Sequence, residues 1–335
     1  MYLLQYKIVF MLNFFYHPGY VKRKKKFLTN KLNNSVLVNK LINFTYFFNF
    51  TFPNRFITNG THKCMNNTLK ALKQNTNSYY NKDNSPNSYI LQFDWYGEKV
   101  LNQILNNEQN NKKILIGPLY TDEQLKNLSK YIEKYKFIKV IAASKYSAEK
   151  ILNSKILNID KENICIVPTG IISEKRLNNL KKTKRNNDCL VYFKNRDEID
   201  LQKVIEFLKS KSISYRLFEY GKYKNNDLIN AAKKSEFCIM INGSESQGIA
   251  AQEILMMNLP IYVWNLPHED LNNFASSVPY FDSRCGMITN SFDEFINNFE
   301  IFINKLNLYN PSSLVQDKLT FEKFINNLQY QFDEF

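Results

Sequence analysis

Apolar and polar positions alternate along this 335-residue chain in two rhythms. Short apolar runs bounded by Gly, Pro or Asn are the length of buried strands, whereas apolar residues three and four apart mark helices. From position 97 onward the two alternate: a helix over 97–105, a strand over 113–116, a helix over 121–135, a strand over 138–142, a helix over 147–152 and a strand over 163–167. The second half repeats the unit. Strands begin near Cys189, Ser214, Phe237 and Pro260, about two dozen residues apart, with helices over 199–209, 226–234 and 247–257 between them. A chain whose every crossover is helical predicts parallel sheets with helices on both faces, an α/β architecture of doubly wound type. A solenoid would show a repeated sequence pattern at this period, and none is present.

The first quarter is less regular. Its pattern predicts a strand over 7–15, a turn at His17-Pro-Gly-Tyr20 and helical spacing over 31–42. Residues 59–87, rich in Asn, Thr, Ser and Lys, predict an exposed loop. The apolar start is interrupted by Lys7 and Asn13, is shorter than the ~20 residues a spanning helix needs, and has no small-residue cleavage site after it. The aromatic run over 41–52 carries Asn and Thr throughout, which argues against a bilayer span. Pro168-Thr-Gly170 ends the first half, and 173–187, polar and without apolar periodicity, predicts a linker between domains at 1–172 and 188–335. The pattern ends with helices over 292–306 and 319–331.

The length suits two cores, and 44% hydrophobic with 15% aromatic residues is ample to fill them. The net charge of +14 comes from lysine spread along an asparagine-rich chain. No nucleic-acid-binding signature accompanies it, so dedicated nucleic-acid binding is not expected. Its densest block, KRKKK, begins at Lys22 and ends at Lys26; it allows a weak contact with an anionic surface, and through it peripheral membrane association, or a contact with the acceptor. Five cysteines without a C-x-x-C pair, three of them in strand-like runs, predict buried thiols in a reducing, cytoplasmic setting. The three histidines are far apart, and no metal site is expected.

Candidate chemistry concentrates in one stretch. The strand over 237–242 runs into a tight polar loop from Gly243 to Gly248, then into a helix and a second buried strand over 261–264. A helix start presents unpaired N–H groups and suits a phosphate. Two carboxylates flank it, Glu245 and Glu253, with seven residues between them.

The string Glu245-Ser-Gln-Gly-Ile-Ala-Ala-Gln-Glu253, followed by Pro260-Ile-Tyr-Val-Trp-Asn265, resembles the group 1, family 4-like retaining glycosyltransferases of the two-Rossmann-domain (GT-B) fold, whose mark is E-x7-E. Pro168-Thr-Gly-Ile171 is similar to the family at the same point of the chain. The resemblance implies two Rossmann-like doubly wound domains facing a cleft, with the last helix crossing back over the first domain. It implies that Glu245 contacts donor-sugar hydroxyls, that Glu253 holds the ribose, and that the backbone of Gln247, Gly248, Ile249 and Ala250 faces the diphosphate.

In an open parallel sheet, ligands bind beyond the carboxyl ends of the strands, which directs attention to three further places. Lys194 and Arg196 follow the first strand of the second half, where cations would meet the departing diphosphate; the family's usual Gly-Arg with a later Lys is missing, so either residue fits. Tyr220 and Gly221 follow the next strand, where the resemblance places the base. His17 follows the first strand of the chain and, with Glu245, is a catalytic candidate, as an acid or base, as an acceptor-orienting group or as a contact to the donor phosphate. No Asp-x-Asp triplet occurs, in keeping with a metal-independent transfer from a nucleotide-sugar donor to a glycan or other hydroxyl acceptor. Same-face displacement assisted by the leaving diphosphate is the implied route. A non-catalytic sugar or nucleotide binder and a basic nucleic-acid-binding protein are the rival readings.

Overall fold

The computed structural model describes residues 12–15, 60–74, 78–80, 88–91, 95–106, 112–118, 122–154, 159–180, 184–185, 189–266 and 276–335. The first half comprises strand β1 (Leu12–Phe15), helix α1 (Gly60–Lys73), strands β2 (Ser78–Tyr80) and β3 (Ser88–Leu91), and helix α2 (Trp95–Asn106). It continues as β4 (Lys113–Ile116), α3 (Asp122–Lys134), β5 (Ile138–Ala142), α4 (Lys145–Asn153) and β6 (Ile164–Ile166). After the short helix α5 (Glu174–Asn178), the second half runs β7 (Cys189–Lys194), α6 (Glu198–Ser210), β8 (Tyr215–Glu219), α7 (Asn225–Lys234), β9 (Phe237–Asn242), α8 (Ile249–Leu255) and β10 (Ile261–Trp264). It closes with β11 (Gly286–Thr289), α9 (Phe292–Asn304), α10 (Pro311–Lys318) and α11 (Phe321–Asp333).

All strand pairs are parallel, in two sheets ordered β2-β1-β3-β4-β5-β6 and β8-β7-β9-β10-β11. Both follow one rule: the second strand lies outside the first, and the third lies on the first's other side. The winding therefore reverses between β1 and β3 and again between β7 and β9, the points at which an open parallel sheet is expected to bind a ligand.

Both faces of each sheet are covered, which is why the central strands are apolar throughout. In β9, Cys238 and Met240 face a core shared with Leu228 of α7 and Ile254 of α8. Phe237, Ile239 and Ile241 face the opposite core, where Phe207, Tyr262, Phe295, Phe299 and Phe302 interlock edge to face. In the first half, Met65, Leu69 and Leu72 of α1 pack with Phe321, Phe324, Leu328 and Phe332, so the last helix lies on the first sheet.

That return is fixed where the chain passes between the halves. Ile171 N–H donates to Leu319 O at 2.8 Å, and Phe321 N–H to Ile172 O at 2.9 Å. A side chain at Gly170 would meet Thr320 O at 2.6 Å, so the outgoing and returning segments touch only because that position is glycine.

Several expectations need correction. The supposed loop over 59–87 contains α1, whose spacing of Met65, Leu69 and Leu72 is helical and whose polar Asn67 and Thr68 are also buried. The stretch over 173–187 does run between β6 of the first sheet and β7 of the second, and it holds α5, capped by the Ser173 hydroxyl, with Leu177 buried and Arg185 donating to Asn258 O at 2.6 Å. The helix expected over 247–257 is shorter because Gly248 is left-handed (φ 74°) and residues 256–258 form a turn. Strand β11 and helix α10 were not anticipated. Of the strand expected over 7–15, β1 covers its end, and the remainder, like the helix expected over 31–42, lies outside the described residues. No described helix is long and apolar enough to cross a membrane, and the five cysteines are buried thiols outside any disulfide.

Candidate functional site

The β7/β9 switch point carries a nearly buried ion pair. Lys194 ends β7, Asn195 turns the chain with φ 50°, and Gly243 follows β9. Gly243 N–H donates to Lys194 O at 2.7 Å, and a side chain at Gly243 would meet Asn195 O at 2.5 Å. Glycine thus lets the two loops touch. Their side chains then meet: Lys194 Nζ lies 2.6 Å from Glu245 Oε1, with side-chain exposures of only 17% and 12%. The ammonium also sits 4.6 Å from the centre of the Tyr220 ring, a cation–π contact. Burial pushes the Glu245 carboxyl above its usual range, and Lys194 pulls it partly back.

Around this pair lies a cavity of about 190 Å³ between the halves. Lys63, Cys64, Pro118 and Ala143 form the wall from the first half. Tyr192, Lys194, Tyr220, Tyr223, Glu245 and residues 246–250 form the other. The Tyr223 hydroxyl donates to that of Tyr192 at 3.2 Å, and burial pushes Tyr223 up to about 12, so both phenols stay neutral.

The loop before α8 is clamped to the first half. Gln247 reads the Thr169 backbone through both ends of its carboxamide, accepting from N–H at 3.1 Å and donating to O at 2.7 Å. Ser147 Oγ donates to Ser246 O at 3.0 Å, and the Tyr280 hydroxyl to Ala143 O at 2.8 Å. Gln247 therefore lines the cavity while its side chain serves the joint, which leaves its backbone as the part placed toward the cavity.

Glu253 belongs to the same joint. Its Oε2 lies 2.6 Å from Lys63 Nζ, its Oε1 accepts from Asn225 Nδ2 at 3.1 Å, and Lys63 also donates to Asn225 Oδ1. It stands behind the cavity wall with both oxygens occupied. Farther along α1, burial lowers the pKa of Lys70, helped by the nearby Arg176 and opposed by Glu253.

Arg196 does not reach the cavity. Its guanidinium is held by Asp200 at 2.7 and 2.9 Å, donates to Trp264 O at 3.2 Å and Asn265 O at 3.1 Å, and lies over the Trp264 ring. It ties the loop after β7 to the end of β10, so of the two expected cations only Lys194 is placed to meet an anion. Gly221 forms the turn after Tyr220 with φ 82° and open space beside it. Ile249 and Ala250 line the cavity, as does Gly248. His17 and the block from Lys22 to Lys26 lie outside the described residues.

Sequence reasoning missed Lys63, Asn225, Tyr192 and Tyr223. Tyr192 was within reach, since it is two residues before Lys194 on a strand and so shares its face. Lys63 gave no such signal from a segment read as loop. Among the described residues, no group of three or more His, Cys, Asp or Glu side chains converges as a metal site would require.

No protein-family model matches the chain, and no curated protein matches it in sequence. In structure it is similar to a mutant of S. aureus TarM crystallised with fondaparinux, alpha-GlcNAc-glycerol and UDP, at 13% identity and a TM-score of 0.47, covering 81% of this chain and 59% of that one. It is similar to the pneumococcal O-GlcNAc transferase GtfA in complex with UDP and GlcNAc, at 12% identity and a TM-score of 0.47, covering 81% and 60%. It is also similar to the lipopolysaccharide outer core galactosyltransferase WaaB in its apo form, at 11% identity and a TM-score of 0.46, covering 81% and 79%. This chain spans less than two thirds of the length of TarM and GtfA.

Proposed function

We propose that the protein is a glycosyltransferase that moves a sugar from a nucleoside diphosphate donor, held in the cavity between the two sheets, to a hydroxyl acceptor such as a glycan. The observation that carries this reading is the Lys194–Glu245 pair, 2.6 Å long, on a cavity at the β7/β9 switch point. Charge develops on a departing diphosphate, and a sequestered ammonium meets it without the reorganisation that water would require. Glu245, once Lys194 has turned to phosphate, accepts hydroxyls of the sugar and faces the positive charge that grows at its ring.

Retention of configuration, by same-face displacement, rests on the likeness of the 245–253 string to the retaining family, as does transfer without a metal. Lys194 supplies the cation a metal would otherwise provide. Five buried cysteines, none in a disulfide, support work in a reducing, cytoplasmic compartment. A non-catalytic sugar-nucleotide binder is the second reading, favoured by the internal engagement of Arg196 and Glu253.

Thermal unfolding with UDP and GDP, with and without chelator, tests the binding claim. A ligand that binds only the folded chain raises its melting temperature, and the expected rise is the same in both conditions. No rise with either nucleotide contradicts a diphosphate site; a rise abolished by chelator contradicts metal independence. The basic-protein rival is checked by duplex DNA, whose binding is expected to be weak and to collapse between low and physiological salt.

A further inference from the structure

Each wall of the cavity carries one ammonium group, and each ammonium is engaged by a glutamate. Lys194 holds Glu245 within the second half, whereas Lys63 reaches across from α1 to hold Glu253. The second pair is as withdrawn from water as the first, with side-chain exposures of 10% and 11%. An ammonium has three N–H donors. Two of Lys63's go to Glu253 Oε2 and Asn225 Oδ1, and its side chain is also part of the cavity wall. Since Asn225 occupies the other carboxylate oxygen, ligand hydroxyls gain full access to Glu253 only when Lys63 leaves it.

Taking Lys63 away without replacement would leave a buried carboxylate short of its counter-charge. A nucleoside diphosphate replaces both partners at once. Its phosphate oxygens accept from the ammonium in a charge-assisted bond, and its vicinal ribose hydroxyls donate to the carboxylate. Neither fragment does both: a nucleoside leaves Lys63 without an acceptor, and pyrophosphate leaves Glu253 without donors.

We propose that Lys63 is a donor-binding residue supplied by the first half, whose ammonium exchanges Glu253 for a diphosphate oxygen as Glu253 takes up the ribose hydroxyls. This rests on the donor reading given above and extends it: the diphosphate is gripped by one lysine from each wall, so the ligand itself joins the halves. Asn225 stays with Glu253 throughout and holds the carboxylate in place for the incoming hydroxyls.

Titration calorimetry with UDP and GDP, and with uridine and guanosine, tests this on the full chain and on three variants: Lys63→Met, Lys63→Gln and Lys194→Met. Lys63→Gln keeps an N–H donor for Glu253 and Asn225 while dropping the charge, so the question is still decided if Lys63→Met fails to fold. Both Lys63 variants are expected to lose about tenfold in affinity for the diphosphate that the unaltered chain prefers, the scale of one charge-assisted hydrogen bond, with little change for its nucleoside. If Lys63→Gln binds the diphosphate as the unaltered chain does while Lys194→Met loses it, Lys63 is a strut between the halves and the proposal falls alone. If the unaltered chain binds neither UDP nor GDP, the donor reading falls and takes the proposal with it.

Discussion

Lys194–Glu245 and Lys63–Glu253 are each 2.6 Å long and each nearly withdrawn from water, yet they tie together different things. The first joins neighbouring loops of one sheet, so either partner can turn to a ligand while the fold around it stays in place. The second joins the halves, beside the Gln247–Thr169, Ser147–Ser246 and Tyr280–Ala143 bonds. Two carboxylates of one short string thus carry different burdens: Glu245 is part of the pocket, whereas Glu253 is part of the joint and is proposed above to meet the ligand only once Lys63 leaves it. Stability is expected to report on Glu253, and chemistry on Glu245.

The largest expected effect follows from the joint. Glu253→Ala leaves Lys63 buried with only Asn225 beside it, and removing one partner of such a pair costs about 3 kcal/mol. Urea unfolding should show that loss, and an unchanged midpoint would contradict the account of the joint. Gly243→Ala comes next. Its added carbon would meet Asn195 O at 2.5 Å, forcing a backbone shift that costs about 1–3 kcal/mol and moves Lys194 off Glu245. Nucleotide affinity should fall with stability in this variant; stability lost with affinity intact would separate Lys194 from the ligand.

A smaller effect concerns pH. The folded chain raises the Glu245 carboxyl and so holds its proton more tightly than the unfolded chain does. This group's contribution to stability is fully present below the usual carboxylate range and is lost as pH rises through the folded value. Compared with Glu245→Gln, the unaltered chain should lose relative stability over that rise. A difference independent of pH would show that burial does not govern this carboxylate.

Strands buried on both faces were the most legible part of the chain. The bounds of β4, β5, β9 and β10 follow directly from the sequence, because continuous apolar runs of that length leave little alternative. Helix α1 was hidden by its composition, since Asn67 and Thr68 share its buried face with Leu69 and Leu72. The Glu245 loop was legible as a motif, but its ion pair was not. That contact depends on β7 and β9 being neighbours and on the left-handed turn at Asn195, which topology and not spacing decides. Arg196 had a readable warning: Asp200 lies four residues later, the spacing of a local ion pair on a helix. Lys63 could not have been found, because its partner is on the other half of the molecule.

The central claim is that Glu245 faces the donor sugar in a working transferase site. Its most direct test is release of free nucleoside diphosphate from a panel of UDP- and GDP-sugars, measured for the unaltered chain and for Glu245→Gln with nucleotide affinity determined in parallel. At least one sugar nucleotide is expected to be turned over, with turnover falling roughly 100-fold in the variant, the scale of losing one preorganised group at the reacting centre, while affinity for the free diphosphate changes little. A panel that is bound but never turned over, or a variant as active as the unaltered chain, would contradict it.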